Sequence, residues 1–250
     1  FDAMWATFDL PEGTQATTTL SGSRPSVVPA SGLPLLSIQD ELDEENPSAQ
    51  LVLGPVLGKG GMGIVHSARQ PRLGRDVAIK QLLPGAKPSA GAVLLREAQF
   101  MGSLEHPNIV PVHDLGTSEN GSPVLVMKRI DGVAWQDLLE YPEHPSWVGL
   151  EHRSEDTLGR NISVMLDICR ALGWAHGHDV VHRDLKPDNV LIGNDGEVYL
   201  GDWGVAGRAG EVSGSVVGTP AYMAPEMLER AESIDPKMDI YLLGSCLYQV

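Results

Sequence analysis

His182-Arg183-Asp184-Leu185-Lys186-Pro187-Asp188-Asn189 is the stretch on which the reading of this chain turns. Six of these eight residues carry a charge or a polar side chain, yet apolar runs close in on both sides, Val180-Val181 before and Val190-Leu191-Ile192 after. Polar groups pinned between two buried strands are desolvated, and desolvated polar groups need partners or a ligand. The pattern therefore points to chemistry more than to a solvated loop.

Working outward, Val190-Leu191-Ile192 and Val198-Tyr199-Leu200 flank Asn194-Asp195-Gly196. Asp-Gly tolerates the positive φ of a tight turn, so a hairpin is expected. Val198, Leu200 and Asp202 share one face by period two. A carboxylate that ends a buried face beside Gly204 suits a Mg²⁺ ligand or a turn. Upstream, Leu158, Ile162, Met165, Cys169, Leu172 and His176 mark a helical stripe. Further upstream, Val77-Ala78-Ile79-Lys80 is a short β-rich run, and Leu94, Ala98 and Met101 trace a helix. Glu97 lies on that same stripe, where a carboxylate is costly unless paired. Lys80 is the partner expected for it.

Gly58-Lys59-Gly60-Gly61-Met62-Gly63 sits between two strand-like runs within Leu51 to Val65. Glycines at 58, 60 and 63 let backbone N–H groups approach phosphate oxygens, but a plain hairpin turn has the same composition. The glycines lead into Ile64-Val65 and not into a helix, which argues against a dinucleotide fold. No Gly-Lys-Ser/Thr ending follows, which excludes a Walker A loop. Strands early and helices late predict an α+β chain with two lobes.

Taken together, the glycine turn, Val77 to Lys80, Glu97, the 182–189 stretch, Asp202-Trp203-Gly204 and Gly218-Thr219-Pro220-Ala221-Tyr222-Met223-Ala224-Pro225-Glu226 resemble the bacterial members of the Hanks-type serine/threonine protein kinases. The resemblance covers residues 51–250 and implies a bilobal fold, with a small β-rich lobe over about 51–127 and a helical lobe over about 131–250. It implies ATP and Mg²⁺ as cofactors and protein Ser/Thr hydroxyls as substrates. By resemblance, Gly58, Gly60 and Gly63 cover the phosphates. Val65, Ala78 and Leu191 sandwich the adenine, and Met127, Lys128 and Ile130 form its edge. Lys80, fixed by Glu97, takes the α- and β-phosphates. Asp184 orients the substrate hydroxyl, Lys186 balances charge on the transferred group, and Thr219 bridges the two. Asn189 and Asp202 hold the metal. Arg183 is expected to meet a phosphorylated residue, with Ser213, Ser215 and Thr219 as candidates and Arg208 as a second partner, so two copies would meet transiently for trans-autophosphorylation. Asp239 is expected to hold the backbone at 182–183. Trp203 replaces the usual Phe and should pack near Met101 and His182. The alternative reading is a pseudokinase or signalling scaffold that binds nucleotide without transfer.

Composition sets the outer bounds. The 250 residues are 42% hydrophobic, with a formal charge of -15. So acidic a chain is unsuited to nucleic acid or an anionic membrane. Two cysteines, Cys169 and Cys246, make neither a disulfide framework nor a zinc site, and both are expected to pack as small apolar groups in a reducing cytoplasm. No apolar run is long enough to span a bilayer. Residues 1–50 carry -7 of the charge, and 15 of the 24 residues from Pro11 to Pro34 are Gly, Pro, Ser or Thr. A disordered, acidic tether is expected there. Tyr141 to Thr157 reads as a surface insertion. The chain is expected to stop inside the helix that the family labels F, with membrane anchoring left to any later segment.

Overall fold

Alternation along Arg75–Leu82 divides the small lobe into two faces: Val77 and Ile79 point one way, Ala78 and Lys80 the other. The computed structural model describes residues 32–39, 50–60, 63–228 and 233–250. In chain order its elements are β1 (Ile38–Gln39), β2 (Leu51–Lys59), β3 (Gly63–Gln70), β4 (Arg75–Leu82), α1 (Pro88–Ser103), β5 (Val112–Thr117), β6 (Pro123–Lys128), β7 (Gly132–Ala134) and α2 (Trp135–Glu140). There follow α3 (Thr157–Gly177), β8 (Val180–Val181), β9 (Val190–Gly193), β10 (Val198–Leu200), β11 (Gly207–Arg208) and α4 (Lys237–Leu247).

The small lobe is a six-stranded sheet in the order β1-β2-β3-β4-β6-β5. Val77 and Ile79 join Leu36, Leu51, Ala68, Val124 and Val126 in a cluster inside its curl. Ala78 belongs to the larger cluster, which runs through α1 into the helical lobe. The chain is thus an α+β, bilobal protein whose cleft lies where the two lobes meet.

In the helical lobe, α3 starts on Asp156, whose carboxylate accepts the Gly159 N–H at 2.6 Å. Its buried face is Val164, Met165, Ile168, Ala171, Leu172 and Ala175. The expected stripe is therefore only partly right: Leu158, Ile162 and Cys169 are exposed. Apolar spacing marks two faces of this helix, and packing chooses between them. Cys246 is buried, and burial pushes its thiol up to about 12.

One expectation needs correction, and a second is sharpened. Residues 40–49 and 1–31 of the expected tether lie outside the described residues, but 34–39 do not behave as tether. Ile38 and Gln39 pair in parallel with Leu51 and Val52, and Leu36 is buried. Averaged composition hides a short apolar run, Leu33 to Ile38, in a polar neighbourhood. Tyr141 to Thr157, expected as a surface insertion, is mostly exposed and is anchored at a few points. Trp147 and Leu150 are buried in a 3-10 helix, and Arg153 reaches Asp167 at 2.5 Å and the Gly196 carbonyl at 2.8 Å. A Cβ on Gly149 would stand 2.7 Å from the Asn194 carbonyl oxygen, so only glycine allows that approach.

Candidate active site

A partly open cleft lies between the lobes. Val65 and Ala78 line it from the sheet, Leu191 from the helical lobe, and Met127, Lys128 and Ile130 from the connecting strand. Lys128 is held from behind, its N–H on the Pro111 carbonyl at 2.9 Å and its ammonium on the Tyr199 hydroxyl. Leu57, Val110, Asp137 and Gly201 line the cleft too, and the sequence reading missed all four. Leu57 directly precedes the glycine turn, which was a usable signal. Asp137 sits in the first turn of the six-residue α2, which carries no motif.

A smaller adjoining cavity lies under the glycine turn, lined by Gly60, Gly63, Lys80, Glu97 and Asp202. Gly58 pairs with Val65 across β2 and β3, and neither cavity includes it among its lining residues. Gly61 and Met62 lie outside the described residues. Gly63 has a steric reason to be glycine: a Cβ there would stand 2.9 Å from the Gln81 carbonyl oxygen.

Lys80 meets both oxygens of Glu97, at 2.7 and 2.8 Å, and lies 3.6 Å from Asp202. All three side chains are nearly buried. Burial favours a neutral lysine, but the two carboxylates outweigh it and hold the Lys80 pKa above the ordinary value.

The second cluster is built around Asp184. Thr219 Oγ1 donates to Asp184 Oδ1 at 2.7 Å and accepts from Lys186 Nζ at 3.0 Å. Lys186 Nζ is 3.8 Å from Asp184 Oδ2. Asn189 Nδ2 donates to the Asp184 carbonyl at 2.7 Å and to Oδ2 at 3.2 Å. Burial raises the Asp184 pKa against the pull of Lys186 and Thr219. Asn189 Oδ1, by contrast, is buried and has no hydrogen-bond partner among the described residues. An orphaned buried amide oxygen is costly, and it fits a hard cation.

The backbone under this cluster is over-determined. Asp239, fully buried on α4, accepts the N–H groups of His182 and Arg183, each at 2.8 Å, and a contact from His176 Nε2 at 2.8 Å. These bonds hold Arg183 at φ 68°, a left-handed conformation that a non-glycine residue adopts only when its surroundings enforce it. Asp202 is likewise left-handed, at φ 51°. His182 Nδ1 accepts the Asp184 N–H at 3.2 Å, so Nε2 carries the proton and donates to the Gly201 carbonyl at 2.9 Å. The fully buried Trp203 ring stands edge-on to His182, with centroids 4.6 Å apart, in the same apolar cluster as Met101.

Arg183 reaches Ser213 Oγ at 3.4 Å and the Ala206 carbonyl at 3.3 Å, while its buried Nε has no partner among the described residues. Burial and the nearby Arg96 lower its pKa to about 10. Arg208 does not join Ser213: it donates to the His178 carbonyl and lies over Phe100. Arg96 on α1 stands closer to this region, paired with Glu211 at 3.1 Å.

A family model for the protein kinase domain matches residues 51–250. The chain belongs to the protein kinase family. Within that family, the domain is 38% identical to the serine/threonine-protein kinase PknB of Mycolicibacterium smegmatis over 211 residues, which are 79% of this chain and 32% of that protein. PknB of Mycobacterium tuberculosis is 38% identical over 209 residues, with the same two shares. A probable serine/threonine-protein kinase of Streptomyces coelicolor, SCO3848, is 37% identical over 210 residues, 79% of this chain and 29% of that protein. The chain spans about a third of the length of these relatives. Among the described residues of the kinase domain, no helix is long and apolar enough to cross a membrane.

Proposed function

We propose that this protein transfers the γ-phosphoryl group of ATP to Ser and Thr hydroxyls of proteins. The observation that carries the reading is the buried Asp184 carboxylate, tied to Thr219, Lys186 and Asn189. Phosphoryl transfer asks a protein for alignment and charge balance more than for covalent chemistry, and this network supplies both.

The adenine would lie between Val65, Ala78 and Leu191, with its edge on the backbone of Lys128 and Ile130. Gly58, Gly60 and Gly63 would cover the phosphates. Lys80, oriented by Glu97, would bind the α- and β-phosphates. Asn189 Oδ1 and the Asp202 carboxylate would hold Mg²⁺, which when bound offsets phosphate charge. Asp184 would accept the proton of the incoming hydroxyl; its raised pKa suits that task. Lys186 would balance charge on the transferred group, and Thr219 would keep Asp184 and Lys186 in register. Ser213, beside Arg183, is the favoured site of activating autophosphorylation between two copies: a phosphate there adds charge opposite an arginine whose Nε lacks a partner. Cytoplasmic proteins are the substrates this reading expects.

The test uses the Asp184→Asn variant with labelled ATP, Mg²⁺ and a generic protein substrate. Turnover should fall by a factor on the order of 10²–10⁴ while nucleotide binding persists. Wild-type turnover in the variant would remove Asp184 from its role, and label on a metabolite alone would overturn the protein-substrate reading.

A further inference from the structure

At the outer edge of the small lobe, away from the cleft, a socket holds a peptide that belongs to the chain itself. Residues 34–39, which include β1, touch β2 and β5, the two outer strands of the other five. On one side, Ile38 and Gln39 pair with Leu51 and Val52 of β2, and the Ser37 carbonyl accepts the N–H groups of Gln50 and Leu51, both at 3.1 Å. On the other side, the Leu36 N–H donates to the Thr117 carbonyl at 2.8 Å, and the Pro34 carbonyl accepts the Thr117 N–H at 2.9 Å. Leu36 is 3% exposed and enters the cluster of Leu51, Ala68, Val77, Ile79, Val124 and Val126. Ile38 follows it onto the same face, two residues on, while Leu35, one residue before Leu36, is 60% exposed. Gly116 keeps the seat open. A Cβ there would stand 2.6 Å from the Pro34 carbonyl oxygen and would overlap the Leu36 side chain.

We propose that residues 34–39 are an intramolecular clasp: a short apolar peptide, bound in a socket between β2 and β5, that fixes β2 and the nucleotide-facing turn that β2 carries. β2 runs from Leu51, which the clasp holds, to Leu57, which lines the cleft, and to Gly58. Without the clasp, β2 pairs only with β3 and becomes an open edge, the kind of element that frays first. The coupling to nucleotide rests on the kinase reading; the seating of the clasp does not.

Hydrogen exchange on the full chain reads the seating directly, because the amides of Gln50, Leu51 and Thr117 all donate to clasp carbonyls. They should be protected in the wild type and exchange about tenfold faster or more in Leu36→Asp. Gly116→Ala evicts the clasp from the opposite side and keeps the experiment decisive if Leu36→Asp fails to fold. Leu35→Asp, on the exposed side of the same segment, should leave exchange unchanged. Calorimetry with ATP and Mg²⁺ should show the dissociation constant raised about three- to tenfold in both clasp variants. Fast exchange of these amides in the wild type, or unchanged exchange in both variants, overturns the clasp. Faster exchange with unchanged ATP affinity overturns its coupling to the cleft. A wild-type chain that binds no ATP overturns the kinase reading, and exchange still decides the clasp.

Discussion

Lys80 and Asp184 are two charged centres of the candidate site, and they are built in opposite ways. Lys80 sits on β4 and depends on Glu97 of α1, a separate element with its own freedom to move. Asp184 is held within a few residues by Asn189 and Lys186, and the backbone just before it, at His182 and Arg183, is fastened by Asp239. Thr219 comes to the Asp184 carboxylate from a distant segment. The difference separates alignment that an element can withdraw from alignment that the fold imposes. A helix shift can undo the first without unfolding anything, whereas the second fails only with the lobe.

The largest expected effect follows from that contrast. Asp239→Asn places an amide group against backbone N–H donors that are fully buried, so urea unfolding should show a loss of roughly 2–4 kcal/mol. Stability equal to the wild type would mean that the loop is held by something other than Asp239. Glu97→Gln should do the reverse. It loosens Lys80 without breaking the lobe, so kcat/KM for ATP should fall by about one to two orders of magnitude with a change in stability near 1 kcal/mol. An unfolded variant would erase the distinction between the two centres.

A pH profile addresses the Asp184 side. Burial raises its pKa above the ordinary 3.8, and only the ionised form accepts a proton. Activity should therefore be lost as pH falls through a value above the ordinary aspartate range. An acid limb at or below that range would argue against Asp184 as the titrating group. The smallest effect is expected for Arg96→Ala. The Arg96–Glu211 pair is about half exposed, so its removal should change stability by no more than about 1 kcal/mol. A larger loss would show that α1 is pinned more firmly than the comparison allows.

Much of the site was legible in the sequence because its signals are local. Val77 to Lys80 is a β-rich run, Asp195-Gly196 makes its turn with Gly196 at φ 82°, and the 182–189 stretch is polar between apolar runs. Glu97 could be paired with Lys80 because a carboxylate on a buried stripe demands a cation. Val110, Asp137 and the charge of Arg96 beside Arg183 were not legible, since each acquires its place from a surface that a different element presents.

The residue order thus picks out the candidate groups and the elements that bear them, because periodicity and turn residues act over a few positions. The tertiary structure alone decides which face of α3 is inside, that Trp147 is docked, and that Leu36 closes a sheet. Burial and orphaned donors belong to neighbourhoods, and a neighbourhood exists only once distant strands and helices have met.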